Sequence, residues 1–145
     1  MSASTTTQPY RILSLSLGSF QALIGLSAVA GGIGLVMDPT GASLGMSSDW
    51  LRGSPFPSFL IPGLFLLGVN GVGTLVGAVL SFRGHRYAGE VAALLGLVMM
   101  GWITIQVIVI TSAAGLSWLQ PFYVVVGLVE LGLGLLLRQR IREAT

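Results

Sequence analysis

Four apolar stretches dominate the chain, and each is long enough to cross a lipid bilayer. They run over 12–37, 59–82, 88–114 and 121–137. A helix rises about 1.5 Å per residue, so the shortest of them reaches roughly 26 Å, most of a hydrocarbon core of about 30 Å. Within lipid every backbone polar group needs an internal partner, and a predominantly apolar run of this length answers that need as a helix. The expected fold is therefore all-α: a single integral membrane domain, 1–145, built as a four-transmembrane-helix bundle.

Composition supports the same reading. Only 8% of the 145 residues are charged, against 53% apolar. A soluble domain carries about 25% charged residues, so a water-facing surface cannot be built from this chain. The arginines, Arg11, Arg52, Arg83, Arg86, Arg138, Arg140 and Arg142, lie outside the apolar runs, and lysine is absent. No basic face is available to track phosphates, which excludes a nucleic-acid partner. There is no cysteine, so disulfides, thiolate metal sites and dithiol redox chemistry are all excluded. The single histidine, His85, lies in a polar turn between Arg83 and Arg86 and reads as a solvated loop residue.

The segments between the runs carry strong breaking signals. Arg11 precedes the first run, whose Ala28-Val29-Ala30 also looks like a signal-peptidase site; the apolar residues that continue to Met37 favour a span. Asp38-Pro39-Thr40-Gly41 ends that span. Ser47-Ser48-Asp49-Trp50-Leu51-Arg52 is suited to one helical turn capped by a serine, and Pro55 and Pro57 force an extended chain before the second span. Trp50 and Phe56 suit the headgroup layer. Pro62 falls in the first turn of its helix, where a missing N–H costs little. Glu90 lies within reach of the Arg83/Arg86 turn and is expected to pair there. If the four spans alternate, six arginines fall on one side and only Arg52 on the other. The positive-inside rule then places both termini in the cytoplasm and 46–53 outside.

Each span also holds one polar side chain at depth: Gln21, Asn70, Gln106 and Glu130. An ionised group at mid-membrane is costly, and a polar one needs a partner. Counting from a hairpin midpoint near Ser117 and Trp118 puts Gln106 and Glu130 at nearly the same depth, so they are expected to pair. Trp102 lies one turn from Gln106 on the same helix face. Two readings of Glu130 stand. In one it is a neutral, proton- or ligand-coupled site; in the other it forms a structural hydrogen bond that fixes helix register. Gln21 and Asn70 read as register-fixing. Small residues four apart, Ser27/Gly31, Ala28/Gly32, Ala30/Gly34 and Gly73/Gly77, allow close helix approach. Enzyme constellations are missing: no Ser–His–Asp set can form around one loop histidine, and no phosphate-binding glycine pattern occurs. No cofactor or metal is expected.

Several stretches resemble a widespread group of small bacterial four-helix membrane proteins. They are Asp38 to Gly45, Ser54-Pro55-Phe56-Pro57-Ser58-Phe59-Leu60-Ile61-Pro62-Gly63, Trp102-Ile103-Thr104-Ile105-Gln106 and Trp118-Leu119-Gln120-Pro121. The resemblance implies a fold and no mechanism. Small multidrug-resistance transporters also have four short helices, but their essential glutamate lies in the first span, where this chain has Gln21. The leading expectation is a non-enzymatic protein of the cell membrane, an accessory or scaffold subunit that packs against a protein partner or a second copy. The alternative is a small proton-coupled transporter, or a lipid- or quinone-binding protein, using Glu130 and Gln106 with Trp102. A transporter calls for a water-reachable path to Glu130, and a scaffold for that residue to be sealed.

Overall fold

The computed structural model describes the backbone of residues 9–114 and 119–145 and the side chains of 9–109 and 120–145. The polar lead at 1–8 and the link at 115–118, with the expected hairpin midpoint, lie outside the described residues. Four helices are long and apolar enough to cross a membrane. They are α1 (Arg11–Met37), α2 (Leu60–Phe82), α3 (Ala88–Ala114) and α4 (Leu119–Ala144). The third matches the sequence boundaries, and the first two agree to one residue. The fourth continues seven residues past Leu137, through all three arginines. Lipid-compatible sequence stops at Leu137, but arginine is a good helix former and suits the negative end of the helix dipole. The helix thus outlasts the apolar run.

The helices pair as two antiparallel hairpins, α1 with α2 and α3 with α4. Glycine sets the spacing of both. A Cβ added to Gly32 would lie 2.6 Å from the Leu67 backbone nitrogen, and one on Gly63 would lie 2.6 Å from the Leu35 Cβ. In the second hairpin a Cβ on Gly96 would lie 2.6 Å from the Gly127 carbonyl oxygen, and one on Gly134 would lie 2.6 Å from the Ala93 nitrogen. Such contacts bring backbones close enough for dispersion forces to bind helices in lipid, where apolar side chains gain little by leaving the tails. Of the small pairs read from sequence, Ala28/Gly32 is buried, whereas Ser27 and Ala30 are exposed. Large apolar side chains point outward on every span, among them Leu23, Val76, Leu94 and Leu128. The polar side chains Ser14, Gln21, Asn70, Thr74, Ser81 and Glu130 are buried inside.

One end of the bundle holds the described ends of the chain. Leu17, Ala88, Ala92, Leu137 and Ile141 form a small core there. Arg11 Nη1 donates to the Phe82 carbonyl at 2.8 Å. The Glu90 expectation needs correction, because its partner is Arg138, 3.2 Å away on α4. The α3–α4 seam places Arg138 beside the first turn of α3, closer than any loop arginine.

The opposite end is closed by the folded loop between α1 and α2. The Asp38 carboxylate accepts from the Thr40 hydroxyl at 2.6 Å, from the Thr40 N–H at 3.2 Å and from the Ser43 N–H at 2.8 Å. These bonds, the Thr40 hydroxyl foremost, hold its carboxyl below the usual carboxylate range. Gly41 adopts φ 78°, and a Cβ there would meet the Phe59 ring at 2.9 Å. Only glycine satisfies both conditions. The serine-capped turn expected within 47–52 is present as a short 3₁₀ turn, Ser48–Leu51, and its cap is Ser47, whose Oγ accepts from the Asp49 N–H at 3.2 Å. Trp50 and Phe56, expected at the membrane surface, are half-buried against Leu35, Leu51 and Phe59.

Candidate functional site

Glu130 has no exposed surface. Its Oε1 accepts from Gln21 Nε2 at 3.0 Å, the Ser81 hydroxyl donates to Gln21 Oε1 at 2.8 Å, and the Ser14 hydroxyl donates to the Ser81 carbonyl. One hydrogen-bonded chain therefore ties α4 to α1 and α1 to α2. Gln21 suits the centre of it, since an amide both donates and accepts. Gly77 makes the space: a Cβ there would lie 2.8 Å from Gln21 Nε2. Among the described residues, Glu130 Oε2 and, one turn from Gly77, Thr74 Oγ1 are buried without a partner.

The expected pairing of Glu130 with Gln106 is thus corrected, because Glu130 pairs with Gln21. The cause is the register of the second hairpin. Gly96 packs on Gly127 and Leu131, which puts Glu130 at about the level of Gly96. Gln106 is ten residues farther along α3, about 15 Å toward the loop end. Depth counted from the link failed; depth counted from the arginines at the other end succeeds. Gln21 lies ten residues after Arg11 and Glu130 eight before Arg138, and both arginines belong to the same end of the bundle. That signal was present in the sequence.

Gln106, Trp102 and Asn70 come together elsewhere, around a cavity of about 430 Å3 in the loop-end half of the bundle. All four helices contribute to it, with Ala28 on α1, Asn70 on α2, Trp102 and Gln106 on α3, and Tyr123 on α4. The folded loop roofs it with Leu44, Met46 and Trp50. Among the described residues, the lining contains no charged side chain and no histidine. Trp102 is held by a stack on Phe65, with ring centroids 4.1 Å apart and planes 19° apart. Asn70 lies within a π-helical segment, Leu66–Gly73, that interrupts α2. Wider turns rotate the residues that follow, and such segments are frequent at functional sites. Here the segment carries Asn70, on the cavity wall, and is followed at once by Thr74, which is buried. The five residues singled out from sequence thus divide into two places, Gln21 and Glu130 in the sealed network, and Asn70, Trp102 and Gln106 in the cavity. Sequence reasoning missed the loop residues of the roof, whose approach to the cavity depends on the Asp38–Gly41 turn.

Among the described residues no group of three His, Cys, Asp or Glu side chains is placed to hold a metal ion. No protein-family model, curated protein or solved structure matches the chain.

Proposed function

We propose that the chain is a non-enzymatic integral membrane protein that holds a lipophilic molecule in its loop-end cavity, in the manner of an accessory binding subunit of the cell membrane. The observation that carries this reading is the cavity itself. At about 430 Å3 it falls within the range of ligand pockets, about 300–1,000 Å3, and it has their usual character: apolar and aromatic walls with a few polar groups. Its polar lining includes the Asn70 and Gln106 amides and the Tyr123 phenol, groups that can orient a ligand by hydrogen bonds, which supports the binding reading. The sealed Glu130 network supports a structural role for that carboxyl, because proton coupling calls for a water-reachable path and Glu130 has no exposed surface.

The test is purification in mild detergent followed by analysis of an organic extract. A lipophilic molecule near one per chain is expected from the original protein. It should be lost from Gly31→Leu, which adds bulk to the cavity wall at a position where a Cβ meets only Leu66 Cδ2 at 3.4 Å. Equal recovery from both proteins, or none from either, would overturn the reading.

A further inference from the structure

We infer that the occupant of the loop-end cavity is an uncharged molecule with a flat, carbonyl-bearing ring, of the quinone class, rather than a phospholipid; this rests on the reading of that cavity as a binding site. Charge decides against a phospholipid. Its phosphate would lose water in a cavity lined by no arginine, lysine or histidine, and a bare buried charge is costly. The arginine nearest in sequence to the roof, Arg52, is exposed and pairs with Asp49 at 3.0 Å.

A ring fits what is present. Trp50, Phe59, Trp102 and Tyr123 place four aromatic side chains in the wall, and aromatic pairs gain beyond the area they bury. The Phe65 stack fixes Trp102, so its ring is already ordered when a ligand arrives. Hydrogen bonding supplies orientation. Asn70 is 4% exposed and Gln106 half-buried, and each amide carries two N–H donors suited to a ring carbonyl. Asn70 is presented by the π-helical segment and Gln106 by the regular helix α3, so donors reach the cavity from two sides. An apolar tail needs no site of its own, since the exterior of the bundle is apolar on every span.

Fluorescence of Trp102 tests this in protein carrying Trp50→Phe and Trp118→Phe, reconstituted in phosphatidylcholine vesicles. Three probes separate the claims: decyl-substituted benzoquinone, bromododecane and phosphatidylglycerol. Saturable quenching by the quinone is expected, with phosphatidylglycerol unable to reverse it. Asn70→Leu should weaken quinone binding about fivefold, the worth of one neutral hydrogen bond, and leave quenching by bromododecane unchanged. Reversal by phosphatidylglycerol would overturn the uncharged-ligand claim. Saturable quenching by bromododecane, with the quinone no tighter or indifferent to Asn70→Leu, would overturn the ring-carbonyl claim while leaving the cavity a binding site. Saturable quenching by neither quencher would overturn both the inference and the reading beneath it.

Discussion

Glu130 shows how one polar residue in lipid is made tolerable. Its carboxyl receives an amide from another helix, and that amide is itself held by Ser81, so the network is built around Gln21 rather than around the acid. Loss of the centre should therefore cost more than a conservative change at the end. Glu130→Gln retains an oxygen that can accept from Gln21 and should fold with nearly unchanged stability. Glu130→Leu should lose about 0.6–2 kcal/mol, the span measured for such bonds between membrane helices. Gln21→Leu should lose about 1–3 kcal/mol, because it leaves both Glu130 and the Ser81 hydroxyl without their partners. Unfolding in bicelles with increasing denaturant measures all three. Gln21→Leu as stable as the original protein would show that the network does not tie the hairpins together.

At the scale of elements, glycine does what large apolar residues do in soluble bundles. Gly89, Gly96, Gly127 and Gly134 recur every seven residues along the facing surfaces of α3 and α4. Their spacing keeps one smooth stripe turned to the partner, and backbone then packs on backbone. Gly96→Leu should force the helices apart and cost about 1–3 kcal/mol or more, as overpacking does. Gly132 sits on the same α4 but meets nothing within 4 Å, so Gly132→Ala should be neutral or slightly stabilising. The same denaturation measurement compares them, and equal losses would place the close contact elsewhere. The heptad of glycines was legible in the sequence, yet 21 glycines in the chain hid it among four-residue pairs that turned out to be partly lipid-facing.

At the scale of the whole molecule, the two ends differ in chemistry. Six arginines lie at the end with the described termini, while the loop end has Arg52 beside Asp38 and Asp49. We propose, from that asymmetry, that the termini are cytoplasmic and the roof of the cavity faces outward. The chain has no cysteine, so single cysteines report without background. Ser47→Cys should label from outside intact cells with an impermeant thiol reagent, and Arg142→Cys only after lysis. Labelling of both from the same side would refute the orientation.

The sequence alone determined the class of fold, the number of apolar helices and, to within a residue, the ends of the first three, because the cost of charge and of unpaired backbone in lipid acts locally on each stretch. It also pointed to Gln21, Asn70 and Glu130 as polar side chains within the spans and to a serine cap in the loop before the second span, while the buried Ser14, Thr74 and Ser81 emerged only from the packing. Pairing between helices was decided only by the tertiary structure. A hydrogen bond from Gln21 to Glu130 spans 109 positions and depends on how far each helix slides along the next. That slide is set by glycine contacts such as Gly96 on Gly127 and Gly32 on Leu67, which no single span encodes. The cavity belongs to the same class of fact. It exists because four helices and a folded loop surround a space, and volume between elements is not written in any of them.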